Sequence, residues 1–316
     1  MTKINFYKLV SKENVMQKIT PCIWFDNQAE EAVNFYTSLF SNSKIGIISR
    51  YDKESAKESG QPEGSILTIE FQLEGYKFLA LNGGPTFKLN PSTSMFVYCD
   101  GDDVIEQLYN RLKEGGNILM PLDKYDWSPK YAWIEDKFGL TWQLDVENIN
   151  SSQKIVPSFL FVNEKFDKVK EAFTYYTSIF PDSKIILESA FDKSAGLPDD
   201  TVLFAQFKLS DYLFNSMSGS TAKHKFDFNE AFSFIVECED QQEIDYYWNK
   251  LSSEGGSESV CGWLKDKFGV SWQIVPKVLS EFLKDKDPAK SQRVMSAMLQ
   301  MKKIIVADLE KAYKGN

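Results

Sequence analysis

The stretch Asp136-Lys137-Phe138-Gly139-Leu140-Thr141-Trp142-Gln143-Leu144 returns late in the chain as Asp266-Lys267-Phe268-Gly269-Val270-Ser271-Trp272-Gln273-Ile274. The copies differ only by Leu/Val, Thr/Ser and Leu/Ile, so the chain carries a tandem duplication and its fold has to be one that can be built twice. Each copy reads as an Asp-Lys-Phe-Gly turn entering a strand. Side chains alternate along a strand, so Gln143 shares a face with Thr141 while Trp142 faces the other way with Leu140 and Leu144. A polar amide so placed points either into a cavity or to solvent.

The match extends upstream. Ile19 to Phe25 is a short apolar run that reads as a strand. Asp26-Asn27 supplies a helix cap, and Glu30 fits a capping box. Ala29, Ala32, Val33, Tyr36, Leu39 and Phe40 then form one apolar helix face. The second copy keeps that spacing with Val169, Ala172, Phe173, Tyr176, Ile179 and Phe180. Residues 52–64 read as a polar loop. Glu74-Gly75 turns a hairpin between Ser65–Leu73 and Tyr76–Asn82, which recurs from Thr201 to Met217. A second cycle follows in each copy: a strand at Ser94–Cys99 or Ser233–Cys238, then a helix stopped by paired glycines. The segment Asn117–Tyr131 is longer than its counterpart Ser257–Gly262, which predicts a hairpin extension in the first copy.

This gives a polar extension over 1–16, a first domain over 17–148, a second over 153–276 and a helical tail over 277–316. Each domain has the order strand–helix–strand–strand–strand, then a similar cycle. In the tail, Asp287-Pro288 starts a helix whose stripe Val294, Met298 and Met301 needs an apolar partner. Those three residues are expected to be buried, with Lys302 and Lys303 at the rim.

Composition narrows the function. A net charge of −9 repels phosphate backbones, so nucleic acid is excluded as a partner. No apolar run reaches the ~20 residues of a membrane span. The start has no signal-peptide pattern, and Cys22, Cys99, Cys238 and Cys261 lie far apart without a C-x-x-C. A cytoplasmic protein with free thiols is expected. The single histidine, His224, allows no Ser-His-Asp or Cys-His set in both copies. No G-x-G-x-x-G is present to hold a nucleotide-like cofactor.

The runs Ile19-Thr20-Pro21-Cys22-Ile23-Trp24-Phe25-Asp26, Phe35-Tyr36-Thr37-Ser38-Leu39-Phe40, Ala80-Leu81-Asn82-Gly83-Gly84 and the Asp-Lys-Phe-Gly-x-x-Trp-Gln endings resemble PhnB-like proteins. These belong to the glyoxalase/bleomycin-resistance superfamily, also called vicinal oxygen chelate. The family carries the label 3-demethylubiquinone-9 3-methyltransferase. The resemblance runs from residue 17 through the tail. It implies an α+β fold: two tandem glyoxalase/bleomycin-resistance-like domains, each of paired βαβββ modules whose curled sheets form cups, plus C-terminal helices. It also implies a pseudo-dimer within the chain and a possible homodimer.

In metal-dependent relatives, inward His, Glu or Gln ligands sit on the first and last strands of each module. The resemblance carries those positions to Pro21, Asn82, Ser94 and Gln143 in the first domain. In the second they become Pro157, Ser216, Ser233 and Gln273. Only the glutamines suit a metal, so neither a metal nor another cofactor is expected. Gln143, Gln273, Asn82, Ser94, Ser216, Ser233 and Trp24 are the candidate cavity residues. Three functions stay open: a module binding a small organic molecule, an enzyme such as a methyltransferase acting on a quinone-type substrate, and a scaffold with filled cups.

Overall fold

The computed structural model describes residues 17–147, 149 and 151–315. The extension expected over 1–16, and Asn148 and Asn150 of the linker, lie outside the described residues. The first repeat runs β1 (Ile19–Phe25), α1 (Ala29–Leu39), β2 (Lys44–Arg50), α2 (Lys53–Ser59), β3 (Ile66–Leu73) and β4 (Tyr76–Asn82). It continues β5 (Thr93–Tyr98), α3 (Asp102–Leu112), β6 (Asn117–Tyr125), β7 (Ser128–Glu135) and β8 (Thr141–Asp145). The second repeat gives β9 (Ile155–Phe161), α4 (Val169–Ile179), β10 (Lys184–Ala190), β11 (Val202–Leu209) and β12 (Tyr212–Ser218). Its second half is β13 (Phe232–Cys238), α5 (Gln241–Leu251), β14 (Ser257–Glu258), β15 (Trp263–Lys265) and β16 (Ser271–Pro276). The tail adds α6 (Lys277–Leu283), α7 (Pro288–Leu299) and α8 (Val306–Lys314).

Two local expectations change. The polar stretch after Tyr51 is not all loop. Asp52 accepts from the Ser55 amide and the Ser55 hydroxyl answers the Asp52 backbone, a capping box that starts α2, and Gly60 ends it in the left-handed region. Conversely, neither Asp26 nor Asn27 caps α1. Its first amide, Ala29 N, donates to Asn82 Oδ1 at 2.9 Å, a cap from a residue far along the chain.

The strands form two eight-stranded sheets, ordered β14-β15-β16-β13-β1-β4-β3-β2 and β10-β11-β12-β9-β5-β8-β7-β6. Each sheet joins the first half of one repeat to the second half of the other. The seams are antiparallel, Cys22 opposite Ser233 in one and Ser94 opposite Ser158 in the other. The repeats therefore pack as a pseudo-dimer with interlocked strands, and each cup is shared between them.

Both sheets curl. Trp24 on β1 and Trp263 on β15 are three strands apart in hydrogen-bonding order, which would separate their backbones by ~14 Å in a flat sheet. Their ring centroids lie 6.3 Å apart. Phe96 on β5 and Phe204 on β11 span the same number of strands and also meet at 6.3 Å. These residues define the concave faces.

The opposite faces meet a shared core that includes the apolar sides of α1, α3, α4 and α5. Tyr36 of α1 and Phe40 just after it pack on Trp142, and Tyr176 of α4 and Phe180 just after it pack on Trp272. The repeated Asp-Lys-Phe-Gly turn holds each tryptophan. Asp136 Oδ1 accepts from Phe138 N and Leu140 N, and its Oδ2 accepts from Trp142 Nε1 at 2.8 Å. Asp266 makes the same three bonds in its copy and accepts a fourth from the Tyr176 hydroxyl at 2.7 Å. Tyr36 faces Asp136 in the first copy without closing that bond. Gly139 and Gly269 turn the chain at φ +89° and +87°, where a side chain would be strained. Burial pushes both carboxyl groups up to about 6 against the pull of their hydrogen bonds.

The tail docks on the chain itself. Val294 is fully buried with Leu279, Ile304 and Leu309, while Met298 and Met301 are half-buried against them. Cys261 N and Gly262 N donate to Met301 O and Lys302 O, both at 2.7 Å. Lys302 is exposed, and Lys303 pairs with Asp245 at 2.6 Å.

Candidate functional site

Strand alternation sorts the candidate residues by face. Ile19, Ile23 and Phe25 of β1 enter the shared core, so Pro21 faces the helices with them. Asn82 shares the helix-side face with Phe78 and Ala80, where it caps α1 and its Nδ2 donates to Ile66 O at 3.1 Å. Ser216 lies on the corresponding face of β12, beside the core residue Phe214, and its buried hydroxyl has no partner. The structural counterpart of Asn82 is Ser218, whose hydroxyl donates to Val202 O at 2.6 Å. The expected roles of Asn82 and Ser216 are thus corrected: one caps a helix, the other is an orphan in the core. The register also redistributes the set. Ser233 and Gln273 share a cup with β1, whereas Ser94 and Gln143 share one with β9.

The cup of the second sheet, the hairpin cup, is filled by its own side chains. Phe96, Tyr98, Tyr131, Val156 and Leu213 form a buried cluster on its concave face. Gln143, 1% exposed, is held at both ends of its amide. Its Oε1 accepts from the Tyr131 hydroxyl at 2.7 Å, and its Nε2 donates to Ser94 Oγ at 2.6 Å. At the far side, Gln206 Nε2 and Asn215 Nδ2 donate to the Tyr98 hydroxyl at 2.9 and 3.0 Å. Burial pushes both tyrosine hydroxyls well above their ordinary range. The long hairpin β6–β7 stacks Tyr125 on Trp127 beside Tyr131.

The cup of the first sheet, the tail cup, is different. Its floor repeats the amide motif, with Gln273 Nε2 donating to Ser233 Oγ at 3.0 Å. The Cys22 thiol lies against both groups, and burial pushes it up to about 11. Most of the concave face around this floor is only half-buried, including Trp24, Leu79, Leu81 and Ile235. Trp24 is fixed by Nε1 donating to Gly84 O at 2.8 Å and packs edge-on against Phe87 and Trp263. The tail lies across this cup: Val275, on the Gln273 face of β16, packs on the tail cluster, and Lys284 pairs with Glu70 of β3 at 3.4 Å.

The register brings Gln273, Ser233 and Trp24 to the tail cup and Gln143 and Ser94 to the packed hairpin cup; sequence reasoning named all of them as cavity candidates without dividing them. It missed Cys22, Trp263 and Ile235. Cys22 is two residues before Trp24 on a strand and so shares its face. Trp263 and Ile235 needed the cross-repeat register.

The residues do not fit the metal of the superfamily. At the carried positions the prolines, Asn82 and Ser216 face the helices, which leaves one glutamine and one serine per cup. Among the described residues no three His, Cys, Asp or Glu side chains gather as a ligand set. Two depressions, about 420 Å³ beside Phe180 and Tyr246 and about 540 Å³ beside Arg293 and Ser296, lie between helices outside both cups.

A family model described as 3-demethylubiquinone-9 3-methyltransferase matches the chain twice, over residues 17–145 and 153–275. Among solved structures, a PhnB protein from Bacillus cereus, named a putative 3-demethylubiquinone-9 3-methyltransferase, is 40% identical over 41% of this chain and 98% of its own, with a TM-score of 0.38. A Staphylococcus aureus protein is 35% identical over 42% of this chain and 97% of its own, with a TM-score of 0.18. Glyoxalase I from Zea mays is 10% identical but covers 85% of this chain and 95% of its own, with a TM-score of 0.54. That likeness shows the two-repeat glyoxalase fold. No curated protein matches the chain. Among the described residues no helix is long and apolar enough to cross a membrane.

Proposed function

Because the chain belongs, in two tandem copies, to the 3-demethylubiquinone-9 3-methyltransferase family, we propose that it is a PhnB-like binding protein holding a small organic molecule in its tail cup without a metal. The observation that carries this reading is the contrast between the cups. The hairpin cup closes on Phe96, Tyr98 and Tyr131, while the tail cup keeps a half-exposed apolar wall over a polar floor. Such a wall with a few convergent polar groups is the usual make-up of a small-molecule site. Gln273 and Ser233 are the proposed polar contacts and Trp24 the aromatic wall. Gln143 and Ser94 are assigned to internal packing. The four free cysteines fit a reducing compartment, so the cytoplasm is the proposed location.

The test is extraction. Protein purified from cells and denatured should release a compound detectable by mass spectrometry, and Ile235→Phe should not. Equal recovery from both proteins, or none from either, refutes the reading. Methyl transfer to a quinone-type substrate, the activity in the family's description, is the second reading. It requires methyl-donor turnover by the purified protein, and Gln273→Leu should reduce that turnover.

A further inference from the structure

The two cups are one site built twice, and the hairpin cup already holds a group against its glutamine. Trp133 lies opposite Gln143 and Trp263 opposite Gln273, so the two floors are in the same register. In the hairpin cup the Tyr131 hydroxyl donates to Gln143 Oε1 at 2.7 Å, and its ring centroid lies 6.2 Å from that of Phe96. Phe204 closes over Phe96 from the far side. In the tail cup the position two residues before the tryptophan is Cys261, which the tail pins through its backbone. Ile235 stands where Phe96 does, opposite Thr20 as Phe96 is opposite Val156. Thr68 stands where Phe204 does, opposite Leu81 as Phe204 is opposite Met217. Three aromatic rings are therefore replaced by smaller side chains around an unchanged Gln–Ser pair. Among the described residues no N–H or O–H group donates to Gln273 Oε1, and the Cys22 thiol is the one weak donor beside the amide.

We propose that the tail cup takes an uncharged hydroxylated aromatic compound, its ring filling the space that Tyr131 and its aromatic neighbours fill in the other cup and its hydroxyl donating to Gln273 Oε1. This rests on the reading that the tail cup is the binding site. Charge on the same face supports the neutral class. Glu237 stands where Tyr98 does and Glu70 where Gln206 does. Glu70 has Lys284 as its partner. A carboxylate or phosphate on the ligand would face like charge, whereas a hydroxyl meets acceptors.

The experiment is isothermal titration of the full chain with 2-naphthol, 2-methoxynaphthalene and 2-naphthoate. The first is expected to bind once per chain. The ether, which lacks the donor, should bind about 3- to 10-fold more weakly, the range of one neutral hydrogen bond, and the carboxylate should show no measurable binding. Gln273→Leu should bring the naphthol and its ether to equal affinity. Ile235→Phe should abolish binding of both, with each variant's fold checked by its melting curve. Equal binding of naphthol and ether to the wild-type chain, blocked by Ile235→Phe, overturns the phenolic class while leaving the tail cup as the site. Preference for the carboxylate overturns it in the same way. Absence of binding by all three, or binding indifferent to Ile235→Phe, overturns the class and the site together. The comparison of ligands on the wild-type chain holds even if a variant fails to fold.

Discussion

Replacing Asp266 by Asn tests whether the repeated turn works as a buried hydrogen-bond hub. Asp266 is 2% exposed and accepts four bonds: Phe268 N and Val270 N on one oxygen, Trp272 Nε1 and the Tyr176 hydroxyl on the other. Asn has one carbonyl oxygen and one NH2 group. Tyr176 can rotate its hydroxyl to accept from that NH2 group, but an indole N–H is only a donor. Either Trp272, fully buried, or the turn amides must lose their acceptor. A buried unpaired donor costs about 1–3 kcal/mol, which is the expected loss for Asp266→Asn near neutral pH.

The pH dependence supplies a second reading of the same variant. Burial raises the Asp266 carboxyl to about 6 in the folded chain, above its ordinary value near ~4 in the unfolded one. The folded state therefore takes up a proton first. The stability linked to this group is greatest below the unfolded value and is lost as pH rises through the folded value. Between pH 7.5 and 5 this group should add about 1.3 kcal/mol to the wild-type chain and nothing to the variant. Urea unfolding at pH 7.5 and pH 5 measures both effects, and the stability gap should widen on acidification. A variant as stable as wild type at pH 7.5, or a gap that narrows toward pH 5, would show that the carboxylate is not the hub described.

Three further outcomes follow from the interlocked repeats. Ser216→Ala should raise stability by about 1 kcal/mol in urea unfolding, because it removes a buried hydroxyl with no partner; the equivalent residue in the other sheet is already Ala80. Cutting the linker between Glu147 and Gln153 should leave the halves associated in size-exclusion chromatography, since β1 pairs with β13 and β5 with β9; halves that elute as separate folded monomers would contradict the shared sheets. Truncation after Pro276 should lower the melting temperature without changing the secondary structure of the hairpin cup, because Val275 and Gly262 lose the tail packed on them.

Much of the architecture is written locally. The repeated turn, the helix faces and the Glu74-Gly75 hairpin each rest on contacts within a few residues, so spacing alone reveals them. Helix α2 was legible too, since Asp52 and Ser55 carry the spacing of a capping box, but the surrounding Gly and Pro residues favour a loop. The cap on α1 was not legible, because Asn82 reaches it from another strand. Cup membership was hidden for the same reason. Alternation says that Gln143 and Thr141 share a face. It does not say that β5 pairs with β9 of the other repeat, and that pairing decides which side chains surround the glutamine.

The pairing also explains why a duplicated chain can carry two unequal cups. Two separate copies of a single repeat, swapped in this way, would form two identical cups. Covalent duplication removes that constraint. The tail cup draws on β1 and β4 of the first repeat and β13 and β16 of the second, so the smaller Ile235 and Thr68 change its wall without touching the hairpin cup. Phe96 and Phe204, at the equivalent positions, close the other. The helices between the sheets are indifferent to this change, because they meet only the opposite faces, where Trp142 and Trp272 repeat without variation. A packed cup adds buried apolar surface to the common core, and a hollow one gives up that contribution to leave room for a ligand. The filled cup can thus help to stabilise a body whose other cup is the proposed ligand site.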